Sequence, residues 1–74
     1  MSDIPYKTSD AFGKRVRKMR RYLDMTQEEL ANSVGTSRSH ISSLERGDYE
    51  PKLDTVKKIA KAFRMNLDEL VKGL

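Results

Sequence analysis

Seventy-four residues with 36% apolar and 35% charged side chains suffice for one thin-cored domain, because a chain this short buries only about 60% of the surface its unfolded form exposes. That excludes a deep enclosed active site, while zero cysteine and a single histidine exclude disulfides, thiol nucleophiles and a structural zinc centre. Fifteen Lys and Arg against eleven Asp and Glu give a net charge of +4, which permits an anionic partner without demanding one.

Residues 1–8, MSDIPYKT, have no apolar period and read as a flexible arm, with Ile4 and Tyr6 as side chains able to dock on the body. The segment lacks a signal-type hydrophobic stretch. No apolar run in the chain approaches the roughly 20 residues needed to span a bilayer, so a cytoplasmic location is expected. Residues 9–74 form a single domain. Thr8 or Ser9 is placed to cap a first helix that Asp10 enters with a charge suited to the positive end of the helix dipole. Phe12, Val16, Met19 and Leu23 then recur on one face of a helix running to Leu23. Gly13 counts only as a modest local cost. Lys14, Arg15, Arg17, Lys18, Arg20 and Arg21 crowd the remaining faces, a run whose default reading is a solvated helix surface.

Thr26-Gln27-Glu28-Glu29 has the form of a capping box, in which the threonine hydroxyl and the glutamate carboxylate each satisfy the other residue's backbone N–H. It opens a second helix, Gln27 to Val34, with Leu30, Ala31 and Val34 inward. Gly35 can adopt the left-handed conformation that stops it. Thr36 or Ser37 then caps a third helix that runs to Arg46 and ends at Gly47. Two helices joined so closely must cross at a large angle, the helix-turn-helix geometry. A fourth helix follows Pro51, from Leu53 to Phe63, with Leu53, Val56, Ile59, Ala60 and Phe63 as its apolar stripe. Asn66 to Glu69 opens a fifth, carrying Leu67, Leu70 and Val71. The expected fold is all-α, with five helices and no strand.

The third helix has an unusual outer face. With Ile41 and Leu44 inward, about 100° per residue places Ser39 and Arg46 opposite them, Ser42 and Ser43 outward, and Arg38, His40 and Glu45 on the flanks. A solvated helix usually carries long Glu and Lys side chains, which form helix better than serine. Serines at 37, 39, 42 and 43 make sense where something approaches the backbone closely, and that something is expected to be a nucleic-acid duplex. The same wheel puts Arg20 and Glu45 at the borders of two facing helices, positioned for a bidentate ion pair.

These residues, from Thr26-Gln27-Glu28-Glu29-Leu30-Ala31 through Gly35 and the Ile41, Leu44, Glu45, Arg46, Gly47 series to Pro51 and the NLDEL ending, resemble the helix-turn-helix domain of lambda-type phage repressors and Xre-group regulators. The likeness runs from about Phe12 to Val71. It implies a five-helix lambda-repressor-like domain whose third helix enters the major groove of double-stranded DNA. By position, it implies base-edge contacts from Arg38, Ser39 and Ser43, and a phosphate clamp from Gln27. It also implies an internal ion pair between Arg20 and Glu45, and backbone-side positions for Arg46 and Lys52. Thr26, Thr36, Ser37 and Ser42 join the phosphate-positioning set, and His40 is a flank contact. Lys52 departs from the small capping residue usual in the family, and Asp48-Tyr49-Glu50 is more acidic than many relatives.

The expected function is sequence-specific regulation of transcription, as a repressor binding a palindromic operator as a homodimer. No cofactor, metal or small-molecule ligand is implied. An enzyme is disfavoured because no motif gathers Ser, His and Asp, and the adjacent Glu28 and Glu29 are accounted for by the capping box. The alternative is a protein-interaction module or antitoxin-like partner on the same fold. Against it, the third helix shows no aromatic or aliphatic anchor.

Overall fold

The computed structural model describes residues 8–74, which form α1 (Thr8–Tyr22), α2 (Gln27–Val34), α3 (Arg38–Arg46), α4 (Leu53–Ala62) and α5 (Leu67–Val71). Among the described residues there is no strand, and no helix is long and apolar enough to cross a membrane. The arm expected over residues 1–8 lies outside the described residues, except that Thr8 already belongs to α1. Neither Thr8 nor Ser9 therefore precedes the helix as a cap, and the Ser9 hydroxyl instead donates to the Gly47 carbonyl at 3.4 Å.

Each helix contributes at least one side chain to a shared core. Val16, Leu30, Ile41, Ile59 and Leu70, one from each helix in turn, are all fully buried, with Leu44 at 1% exposure. Burial of an aliphatic side chain of this kind is worth about 1.5–3 kcal/mol, so no helix can leave without opening the centre. Helix α3 packs between α1 and α2, α2 also meets α4, and α4 meets α5. Arg15 adds a polar tie, donating from Nη1 to the Leu70 carbonyl at 3.0 Å and fastening α5 to α1.

Three details differ from the sequence expectation. Leu23 falls beyond the end of α1 and is 40% exposed, and Leu53 begins α4 at 60% exposure. Both sit at helix ends, where the apolar period continues although the chain has left the core. Gly13 is more than a tolerated weakness. A Cβ there would come within 2.5 Å of the Leu44 carbonyl oxygen and 2.7 Å of that of Glu45, so the missing side chain is what lets α1 lie against α3.

Helix endings follow one stereochemical rule with two kinds of residue. Gly35 and Gly47 take left-handed φ values of 84° and 78° after α2 and α3. Asp24 and Arg64, at φ 56° and 57°, take the same conformation after α1 and α4. The Met25 N–H then reaches the Arg20 carbonyl, and that of Met65 reaches Ala60, satisfying orphan carbonyls of the last turn. Glycine marks such ends in a sequence. Aspartate marks them only weakly, and arginine does not.

Candidate nucleic-acid interface

The starts of α2 and α3 are each set by a side-chain cap. Thr26 accepts from the Glu29 N–H at 3.0 Å, and Glu29 accepts from the Thr26 N–H at 2.8 Å, which completes the capping box and fixes where α2 starts. Gly35 then turns the chain, and Ser37, rather than Thr36, caps α3 by accepting from the His40 N–H at 3.1 Å. The Thr26 N–H is thereby committed inside the protein, leaving only its hydroxyl proton to offer an anion.

The direction of α3 is held from below by Glu45, which has a fully buried side chain. Arg20 donates to it twice, Nε to Oε2 at 2.7 Å and Nη2 to Oε1 at 3.1 Å. Its remaining Nη1 donates to the Met25 carbonyl at 2.7 Å, just ahead of α2. Gln27 Nε2 donates to Glu45 Oε1 at 3.0 Å, and Arg17 Nε stands 3.6 Å from the same oxygen. One carboxylate therefore ties together α1, α2 and α3. Burial alone would raise its pKa, but hydrogen bonds from Arg20 and Gln27 and the charges of Arg20 and Arg17 outweigh that and hold it below the ordinary carboxylate value. Among the described residues no buried side-chain nitrogen or oxygen lacks a partner.

Above this joint lies a shallow depression of about 520 Å³, bordered by Arg17, Arg20 and Arg21 from α1, Thr26, Gln27 and Glu28 from α2, and Arg38 from α3. The structure thus gathers Thr26, Gln27 and Arg38 with part of the basic run of α1. Ser39 and His40 are exposed beside it on α3, Thr36 is half-buried at the turn, and Ser37 is exposed. Lys52 stands apart at the start of α4, exposed and making no side-chain cap bond.

Further along α3, Ser42 and Ser43 are half-buried rather than fully outward, because Arg46 folds back over them. Arg46 donates to Ser42 Oγ at 2.8 Å and to Ser43 Oγ at 3.2 Å, and its Nε and Nη2 meet Asp48 Oδ2 at 3.2 and 3.0 Å. His40 Nε2 is 2.6 Å from the Tyr49 hydroxyl, with ring centroids 4.9 Å apart. This contact anchors the loop after α3 to the flank of that helix. Burial raises the Tyr49 pKa.

Sequence reasoning missed Arg17 and Arg21 at the depression, the Gln27–Glu45 bond, the Arg46 cluster and the His40–Tyr49 contact. Arg46 to Ser42 and Ser43 follows the i−4 and i−3 spacing of helical neighbours, and that signal was present in the sequence. The others join residues on different helices or loops and needed the packing.

The family profile described as helix-turn-helix matches residues 16–70. The transcriptional repressor RstR of the cryptic phage CTXphi, from Vibrio cholerae, is 38% identical over 60 residues, covering 81% of this chain and 54% of that protein. An uncharacterized HTH-type transcriptional regulator of Archaeoglobus fulgidus is 45% identical over 56 residues, 76% of this chain and 80% of the relative. Among solved structures, the restriction-modification controller protein C.AhdI from Aeromonas hydrophila superposes with a TM-score of 0.83 at 34% identity, covering 88% of this chain and 98% of that one. The P22 c2 repressor, solved in complex with a synthetic operator, gives a TM-score of 0.75 at 35% identity over 85% of this chain and 96% of that one. With α2, the turn at Gly35 and α3 arranged as described, and with these likenesses covering most of its length, the chain belongs to the helix-turn-helix family of DNA-binding transcription regulators, of the phage-repressor and Xre type.

Proposed function

We propose that this protein represses transcription by laying α3 in the major groove of a palindromic operator, with Arg38, Ser39 and Ser43 facing base edges. The observation that carries this reading is the outer face of α3, which is exposed at Arg38, Ser39, His40 and Arg46, half-buried at Ser42 and Ser43, free of apolar anchors, and joined through Arg38 to the arginine-edged depression. Nine helical residues extend about 13 Å, a length suited to a groove about 12 Å wide. Arginine at position 38 offers two donors for the O6 and N7 acceptors of guanine. Gln27, Thr26, Thr36, Ser37, Ser42, Arg46 and Lys52 serve as phosphate-contacting or positioning groups, which set register without reading sequence. Arg17 and Arg21 add charge on the same side, and His40 flanks the groove.

The partner assembly is a homodimer over two half-sites about one helical turn apart. Its support is an apolar groove of about 230 Å³ lined by Phe12, Pro51, Val56, Val71 and Leu74, with Ser9 and Glu50 at its edge. Mobility shift of a random duplex pool at low salt, followed by sequencing of the bound fraction, tests the function. Enrichment of a two-fold symmetric sequence is expected. Failure to retard any duplex would remove the DNA reading and leave the protein-interaction alternative.

A further inference from the structure

The Arg46 cluster bears on what kind of base Ser43 reads. A guanidinium carries only donors, whereas a serine hydroxyl carries one donor and two acceptor sites. With Arg46 Nη1 on Ser42 Oγ at 2.8 Å and Nη2 on Ser43 Oγ at 3.2 Å, both oxygens are used as acceptors from a cation. Each hydroxyl proton is then left to be given away. The positive charge beside the oxygen also repels any further N–H approaching it. Asp48 holds the guanidinium in this pose through Nε and Nη2, and Gly47 makes the turn that brings Asp48 round, with its N–H on the Leu44 carbonyl.

We propose that Arg46 is a positioning residue that biases the Ser43 hydroxyl toward donating, so that a base offering an acceptor is favoured opposite Ser43 and cytosine is disfavoured. This rests on the reading of α3 as the groove-binding helix and deepens it by assigning a chemical class to one base position. In the major groove guanine presents O6 and N7, thymine O4, and adenine N7 beside its amino group, so all three offer an acceptor. Cytosine presents only its N4 amino group, a donor. An unconstrained serine bonds either kind of group and discriminates little. A serine whose oxygen is occupied by Arg46 favours an acceptor and disfavours cytosine.

The test is selection of bound sites from a random duplex library, followed by affinity measurements on four duplexes that differ only at the pair facing Ser43. Wild-type protein is expected to favour G, A or T over C there by about fivefold, the worth of one ordinary hydrogen bond. Arg46→Ala and Ser43→Ala are each expected to bring that ratio close to one. The double variant should fall no further, because the two residues act as one unit. Preference at the pair assigned to Arg38 should survive in all three proteins. If Arg46 merely touched a phosphate, Arg46→Ala would weaken every duplex alike with the discrimination against cytosine intact, and the proposal would be overturned. Ser43→Ala, a small change on a half-buried surface, keeps the question open to refutation should Arg46→Ala fold poorly. Retention of the discrimination against cytosine by Ser43→Ala sinks the assignment by itself. A wild-type protein that selects a sequence but is indifferent at this pair also overturns the proposal, while leaving the DNA reading intact. One that selects no sequence overturns both.

Discussion

Arg38 and Glu45 lie on the same short helix and do opposite kinds of work. Arg38 is exposed, so its replacement should leave the fold alone. Arg38→Ala is expected to cost about 1–3 kcal/mol of binding and to relax preference at one base pair, read by titrating operator variants in a fluorescence anisotropy assay. Gln27→Ala should weaken all sequences more evenly. Glu45 is buried against Arg20, and Glu45→Ala leaves Arg20 charged and largely unpaired below α3. Breaking such a pair costs about 3–5 kcal/mol. The pair also carries a pH signature. The carboxyl of Glu45 is held below its ordinary value in the folded state, so its contribution is fully present above the unfolded carboxylate pKa of about 4.3. It is lost as pH falls through the lower folded value. Urea titrations of wild type and Glu45→Gln should show a stability gap that is constant near neutrality and narrows only below about pH 4. A gap that did not change with pH would argue that the pair contributes no charge-dependent stability.

At the level of the helices, the crossing of α1 over α3 turns on Gly13. In an exposed helix, replacing glycine by alanine stabilises by about 1 kcal/mol. Here the new Cβ would press on two backbone carbonyls of α3, which cannot move aside as a flexible side chain would. Gly13→Ala is therefore expected to destabilise, by about 1–3 kcal/mol as for other overpacked sites. In a domain this small each kcal/mol lowers the melting midpoint by about 4–8 °C, so thermal denaturation followed by circular dichroism decides the sign. The displacement would also loosen the Arg20–Glu45 bonds and so disturb the aim of α3. The caps have a different task. Thr26 and Ser37 each hold the N–H three residues on, and loss of either costs about 1 kcal/mol without redirecting the helix.

For the whole molecule, charge and the proposed two-fold symmetry are expected to govern binding. Neutralising phosphates releases counterions, so log affinity should fall linearly with log salt with a slope of about −0.9 per phosphate contacted. A slope near zero would mean that the arginines around the depression do not meet the backbone. Dimerisation can be tested at the apolar groove. Val71 is 36% exposed at its rim, so Val71→Asp should spare the fold yet abolish cooperative occupation of the two half-sites. Sedimentation velocity with and without operator duplex would follow the change from a two-protomer complex to single occupancy.

The amino-acid sequence by itself determined which segments are helical and where α2 and α3 begin and end, because these depend on neighbours within a turn. Capping boxes, left-handed glycines and apolar spacing all act over three or four residues. It also marked the serine-rich face of α3, since periodicity alone assigns inside and outside. Ends carried by Asp24 and Arg64 stayed hidden, because neither residue marks a left-handed turn as strongly as glycine does. Tertiary structure decided everything that depends on two helices meeting. Gly13 changed from a weak point to a requirement once α3 lay against it. Glu45 became the joint of three helices when Arg20, Arg17 and Gln27 converged on it. The solvated face expected for the basic run acquired a depression bordered by Arg17 and Arg21. Such contacts join side chains far apart in the chain, and only packing brings them within reach.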